Sequence, residues 1–271
     1  MNYIQIEFQI RNTVENEILV ALLSQKGFES FEETDNSLKT FIPEADFKED
    51  ILKEILWIVP VNYTITEIPF QNWNAAWESS FEPIVIGDFV AIRASFHQPV
   101  QHVQHEIIIT PKMSFGTGHH ATTYLMIEQM ATLDFKNKSV LDFGTGTGVL
   151  SILAEKLGAS SIDAIDNDDW SIENSIENIT MNECSKIRIE KVGSIVEKRK
   201  YDIILANINL NVILENMPAI ANACDQGSVI LLSGVMEQDE QILMQALQKY
   251  KIQHLGTRQK KEWLCVKATI N

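Results

Sequence analysis

Residues 3–10 alternate polar and apolar side chains, with Ile4, Ile6, Phe8 and Ile10 on one face, and this predicts a half-buried strand. Thr13 is placed to cap a helix that runs to about Gln25, with Gly27 as its stop. The stretches 28–35 and 37–44 predict a hairpin around Asp35–Asn36. Asp46 is expected to open a second helix through Trp57 that Pro60 ends, and 61–70 alternates again. The order β-α-β-β-α-β predicts a ferredoxin-like α+β domain over residues 1–70. Trp73 and Trp77, at i and i+4, mark a short linker helix in 71–81, whose plain reading is a packing stripe between two domains. Residues 84–96 predict a hairpin over Gly87–Asp88, and 106–112 a further strand. Together they form a cover on the domain that follows.

From residue 139 strand and helix alternate regularly. Strand 139–143 leads to a helix over 149–159, strand 161–166 to helix 169–181, and strand 187–192 follows. Then come strand 201–208, helix 209–223, strand 228–235, helix 237–249 and closing strands near 251–257 and 262–269. Repeated βα units that end in a two-strand hairpin predict an α/β domain over 82–271, an open Rossmann-like sheet with helices on both faces.

The first of these units carries the chemistry. Gly144, Gly146 and Gly148 follow the strand Ser139–Phe143 at alternate positions and lead into a helix. A dinucleotide loop needs G-x-G-x-x-G to seat a pyrophosphate on the helix N-terminus. Here its third place is Val149. Asp166 ends the next strand, where a carboxylate accepts both hydroxyls of a ribose. A glycine turn and a ribose acid without the phosphate pattern suit a nucleoside ligand that lacks phosphate, of which S-adenosylmethionine is the common one. A nicotinamide oxidoreductase is the reading that Val149 argues against.

A second constellation is Ser114–Met130. It joins a Gly-x-Gly turn, polar residues and a helix that starts near Ala121. Thr122 and Thr123 fall in the first helical turn, where free N–H groups favour a carboxylate such as that of the cofactor's methionine end. Helix capping is the alternative for either residue. The loop Phe115–Gly118 is expected to close over the same end. Asn207 stands at the end of the fourth sheet strand, where an amide can accept from a substrate amine and donate to the cofactor. An Asx turn that opens the next helix is its alternative. Many amino-methylating enzymes carry Asn-Pro-Pro-Tyr here; this chain has Asn207-Ile208-Asn209.

Composition narrows the classes further. No apolar run approaches the roughly 20 residues of a membrane span, and the first ten residues lack the basic start of a secretory signal. Three distant cysteines, Cys184, Cys224 and Cys265, fit a reducing cytoplasm rather than a disulfide framework. Five histidines, His97, His102, His105, His119 and His120, crowd together but lack Cys partners and helical ligand spacing, so no metal is expected. The net charge is −15. Residues 1–70 hold 13 Asp/Glu against 5 Lys/Arg, a balance of −8. Such a polyanion repels nucleic acid as a direct ligand and attracts a basic partner, although solubility alone also accounts for it. The acidic balance counts against a nucleic-acid methyltransferase, and no membrane partner is expected. A cofactor-binding module without activity stays open on the residues alone.

Ser114–Thr123 (SFGTGHHATT), Leu141–Leu150 (LDFGTGTGVL), Ala164–Asp168 (AIDND) and Ala206–Ile208 (ANI) stand in the order and spacing of the PrmA family. The chain resembles that family over nearly its whole length, including the acidic N-terminal domain and the Trp-bearing linker. Its members are S-adenosylmethionine-dependent, class I methyltransferases of a large-subunit ribosomal protein, the eleventh. The resemblance implies cofactor contacts at Thr123, Gly144, Asp166 and Asn207; Gly146 and Phe115 complete the expected set. It implies that the N-terminal domain grips the basic ribosomal protein and swings on the linker, with trimethylated lysine and a trimethylated N-terminus as products. The chain is expected to act as a monomer in the cytoplasm. No residue is assigned as a general base.

Overall fold

The computed structural model describes residues 2–34, 36–69, 81–112, 116, 118–195 and 199–271. Asp35, Phe115 and residues 71–80 of the linker helix expected in 71–81 lie outside the described residues. The chain divides into two compact units, Met1–Ser80 and Phe81–Asn271.

The first unit runs β1 (Tyr3–Gln9), α1 (Thr13–Ser24), β2 (Glu29–Glu33), β3 (Ser37–Pro43), α2 (Glu49–Ile58) and β4 (Tyr63–Ile68). Its strands lie in the order β2-β3-β1-β4, every neighbour antiparallel, which is the split βαβ arrangement of a ferredoxin-like sheet. The period of two along β1 and β3 sends Ile4, Ile6, Phe8, Leu38 and Ile42 to one face. There they meet Leu19, Leu23, Leu52 and Ile55 of the helices.

Two helix starts differ from the sequence expectation. Asn12, not Thr13, caps α1, because its amide oxygen accepts from the Glu15 N–H at 3.0 Å while Glu15 reaches back to the Arg11 N–H at 2.9 Å. The second helix opens at Glu49 rather than Asp46. The Asp46 and Phe47 N–H groups donate to the Pro43 carbonyl, so the chain completes a turn before it enters the helix.

The second unit opens with β5 (Ile84–Ile86), β6 (Val90–Ala94) and β7 (His105–Ile109), a three-stranded sheet in that order. Then follow α3 (Ala121–Met130), β8 (Ser139–Phe143), α4 (Val149–Lys156), β9 (Ser161–Asp166), α5 (Asp169–Met181), β10 (Ile187–Lys191) and β11 (Tyr201–Asn207). The chain ends with α6 (Leu210–Asn222), β12 (Cys224–Met236), α7 (Glu240–Lys249), β13 (Ile252–Lys260) and β14 (Trp263–Ile270). The main sheet has the order β10-β9-β8-β11-β12-β14-β13. Its first five strands are parallel; β14 inserts antiparallel between β12 and β13.

Successive residues of the central strands serve opposite layers. Val140, Ile203 and Leu205 face the core under α3, α4 and the small sheet, whereas Leu141, Phe143, Ile204 and Ala206 face the core under α6 and α7. Strand order reverses between β8 and β11, and ligands bind beyond the carboxyl ends of the strands at such a switch point. No helix among the described residues is long and apolar enough to cross a membrane.

Each unit holds its own apolar core. Phe8→Ala, which removes a fully buried ring from the first unit, is expected to cost roughly 3–5 kcal/mol. Urea denaturation followed by hydrogen exchange should show that loss in residues of the first unit, with the protection of β8 and β11 unchanged.

Candidate active-site cavity

A cavity of about 470 Å³ opens at the switch point, within the range that holds a nucleoside-sized ligand. Its floor is the turn Gly144–Gly146, one side is Asp166, Asn167 and Val192, and the other is Asn207–Asn209. Gly116, His120, Thr122 and Trp263 also line it.

The turn is shaped by what cannot be there. Gly144 has φ +77°, and a β-carbon on it would lie 2.2 Å from Cγ2 of Ile208. Only glycine permits both the backbone conformation and that approach. The turn is tied to the neighbouring strand, where the Gly144 and Thr145 N–H groups donate to the Ile165 carbonyl at 2.8 and 3.0 Å.

Asp166 accepts from the Gly146 N–H at 2.9 Å and from the Asp168 N–H at 3.1 Å, one on each oxygen. A carboxylate has about four acceptor positions, so two backbone bonds orient it and leave capacity for a diol. Asp142, on the strand below, is buried, with one oxygen accepting from Thr145 and Ser151 hydroxyls at 2.7 and 2.6 Å and the other unpartnered. Burial pushes this carboxyl up to about 6, against the lowering effect of those two hydroxyls and with a smaller upward push from the charge of Asp166.

Asn207 forms the opposite wall. Its amide nitrogen donates to the Thr123 hydroxyl at 3.3 Å, and its amide oxygen is buried without a partner. The helix-opening role that was its alternative falls to Asn209, whose side chain accepts from the Val212 N–H at 3.1 Å. Thr123 itself is buried behind Asn207 and does not line the cavity; Thr122 lines it, and its hydroxyl lies 2.8 Å from Nδ1 of His120. Neither threonine caps α3, because His120 occupies that place and accepts from the Thr122 N–H. Of the six expected cofactor residues, Gly144, Gly146, Asp166 and Asn207 thus line one cavity, Thr123 stands one layer behind it, and Phe115 lies outside the described residues.

Among the lining residues that no sequence pattern marks is Trp263. Trp263 sits at the start of β14, 119 residues after Gly144 in the sequence, and packs edge-on against His120 at 4.8 Å between ring centroids. Only the hairpin's insertion beside β12 brings it to the site. Of the histidines, His97 accepts from the Ala94 N–H and shares Phe81 with His119, while His105 packs on Phe89. Among the described residues no three His, Cys, Asp or Glu side chains converge as a metal site. Burial pushes the thiols of Cys184 and Cys224 up to about 11 and that of Cys265 to about 12, which keeps them protonated.

The fold and the glycine turn define a Rossmann-like methyltransferase sheet. Its likeness to a precorrin-6y C5,15-methyltransferase from Geobacter metallireducens shows the fold alone, at 12% identity and a TM-score of 0.50, covering 60% of this chain and 94% of that one. A ribosomal protein L11 methylase structure from Lactobacillus delbrueckii subsp. bulgaricus matches with a TM-score of 0.66 and 28% identity, covering 70% of this chain and all of that one. Ribosomal protein L11 methyltransferases from Phocaeicola vulgatus and Chlorobaculum tepidum are 38% and 41% identical, over 98% and 97% of this chain and 99% and 95% of their own lengths. The model of the family "Ribosomal protein L11 methyltransferase (PrmA)" matches residues 5–271. The chain belongs to the PrmA family and is an S-adenosylmethionine-dependent methyltransferase.

The raised pKa of Asp142 has a sign that can be checked. A carboxyl whose folded pKa lies above its unfolded value contributes stability at low pH that is lost as pH rises through about 6. Asp142→Asn removes this dependence. Relative to the parent, the variant should therefore gain on the order of 1 kcal/mol between pH 5 and pH 8, read from urea midpoints of the ligand-free protein. Parallel pH dependence in the two proteins would rule out a raised Asp142.

Proposed function

We propose that the cavity binds S-adenosylmethionine and that the chain methylates amines of ribosomal protein L11, its lysine side chains and its N-terminal amine. The observation that carries this reading is the unpartnered amide oxygen of Asn207 in the wall of a cavity whose far side holds Asp166. A buried acceptor without a donor is costly, and an amine N–H supplies the missing donor. The donor set fits the cofactor: Asp166 suits its ribose, the glycine turn admits backbone close beneath it, and Thr122 and the α3 N-terminus suit its carboxylate. When bound, S-adenosylmethionine supplies a methyl group on an already activated sulfonium.

The chain's residues then have three tasks. Asn207, held by Thr123, orients the amine nitrogen through its amide oxygen. Phe143, Trp263 and Val212 exclude water from the approach. Desolvation there favours the neutral amine, which is the attacking form of a lysine whose ordinary pKa is about 10.4. No side chain needs to act as a base, because an amine that enters neutral releases its proton to solvent after transfer.

The acidic first unit, with a balance of −8 over residues 1–70 and no cluster of catalytic residue types, is the module that grips the basic ribosomal protein. A ribosomal substrate places the reaction in the cytoplasm, and the protein works as a monomer without direct nucleic-acid or membrane contact.

Asp166→Ala should weaken S-adenosylmethionine binding by roughly 1.5–3 kcal/mol, the loss of hydrogen bonds to a charged group. Unchanged affinity in a calorimetric titration would remove Asp166, and with it this cavity, from the cofactor site. Removal of residues 1–80 should leave cofactor affinity close to that of the full chain and sharply reduce methylation of L11, since the remote binding that positions the amine is gone. Methylation at the full-chain rate would refute the gripping role. Circular dichroism on the same sample separates loss of recognition from loss of fold.

A further inference from the structure

Asn174, Asn178 and Asn182 follow one another at intervals of four residues along α5 and its cap, so they form a single stripe. Asn174 and Asn178 are fully buried, which is tolerable for an amide only when its polar atoms are paired. Their partners are main-chain groups of another element. Asn182 accepts from the Ile108 N–H at 3.0 Å and donates to the Ile108 carbonyl at 2.6 Å. Asn178 accepts from the Thr110 N–H at 2.8 Å, and Asn174 donates to the Thr110 carbonyl at 3.2 Å. The outer edge of β7, which has no strand beside it among the described residues, is thus satisfied by a column of side-chain amides.

Asn178 does one thing that Asn182 does not. Its amide nitrogen donates to the Thr147 carbonyl at 2.8 Å, as well as to Asn174 at 2.7 Å. Thr147 lies between Gly146 and Gly148, is buried and does not line the cavity. Its hydroxyl donates to the Gly116 carbonyl at 2.8 Å. Gly116 does line the cavity; with φ +107°, a β-carbon there would meet the Thr147 hydroxyl at 2.7 Å. The chain of contacts therefore runs from α5 through Asn178 and Thr147 to the opposite wall. A turn with three glycines has the most conformational freedom to lose on ordering. Asp166 and Ile165 fix its first half, through Gly144, Thr145 and Gly146. The Thr147 carbonyl and hydroxyl fix its second half.

We propose that Asn178 and Thr147 are positioning residues that clamp the glycine turn between α5 and Gly116, and so set the affinity for S-adenosylmethionine without touching it. The proposal rests on the cavity being the cofactor site. A residue that only preorganises the cofactor's floor changes binding of S-adenosylmethionine and leaves turnover at saturation nearly intact.

The test uses the full-length protein, calorimetric titration with S-adenosylmethionine, and steady-state methylation of L11. Asn178→Ala should bind about tenfold more weakly, with KM for S-adenosylmethionine raised in proportion and kcat within about threefold of the parent. Asn182→Ala is the control on the same stripe; it should lower the melting temperature but keep affinity within about twofold, since its bonds end on Ile108 and on its own helix. Thr147→Val, which keeps the β-branched shape and removes the hydroxyl, should weaken binding several-fold and decides the matter if Asn178→Ala does not fold. Equal losses in Asn178→Ala and Asn182→Ala would make the stripe a fold support only and overturn the proposal. So would unchanged affinity in Thr147→Val. Asp166→Ala in the same series separates two failures. If it binds like the parent, the cavity assignment falls and the clamp falls with it; if it binds weakly while Asn178→Ala does not, only the clamp falls.

Discussion

At the switch point of the large sheet the main chain of the glycine turn lies directly against the side chain of Ile208, with no room for a β-carbon between. Gly144 approaches Ile208 so closely that a β-carbon would sit 2.2 Å from its Cγ2. Two strands that depart in opposite directions of the strand order are held together there, and a cleft remains beyond their ends. Everything chemical in the second unit is arranged around that contact. Asp166 arrives on β9, Asn207 on β11, and Gly116 lines the same cavity. A side chain at residue 144 therefore has to displace the side chain of Ile208, the residue that follows Asn207.

The charges of the site follow the same geometry. Two carboxyls lie close together, one hydrogen-bonded by backbone at the cavity wall and one buried beneath the turn. Their environments differ: Asp166 has two N–H donors and access to the cavity, whereas Asp142 has two hydroxyls, a bare oxygen and no solvent, and burial raises its pKa. The outer group is thereby free to receive hydroxyls while the inner one ties Thr145 and Ser151 to the strand.

Periodic segments were legible in the sequence because burial is their cause. The strands Ser139–Phe143 and Ser161–Asp166, and the helix Asp169–Met181, have the limits that the regular order of βα units predicts. Helix starts were less legible, since a cap depends on which polar residue the incoming chain turns toward the free N–H groups. Asn12 and Asn209 take that part where Thr13 and Asn207 were the visible candidates. Of the site, the glycines, Asp166 and Asn207 stand at strand ends and carry a signal of their own. Trp263 and His120 meet only because β14 inserts between β12 and β13, and no local pattern announces that insertion. The asparagine stripe reads in sequence as an ordinary polar helix face. Its partner is the edge of β7, more than 60 residues away in the chain.

That stripe shows why a strand edge can be covered by a helix at all. An edge presents donor and acceptor in turn, and an amide side chain offers acceptor and donor on one carbon. Aliphatic side chains at 174, 178 and 182 would bury the edge of β7 and leave its N–H and C=O groups unpaired, at a cost that apolar contact does not offset. Serines would be too short to span both groups. Asparagine at four-residue intervals is the shortest side chain that pairs Ile108 and Thr110 from one helix face. Once the column exists, its middle member is one bond away from the Thr147 carbonyl. A device that seals the edge of the covering sheet thereby reaches the turn under the cavity, and the two layers of the second unit are joined by hydrogen bonds where packing alone would let them slide.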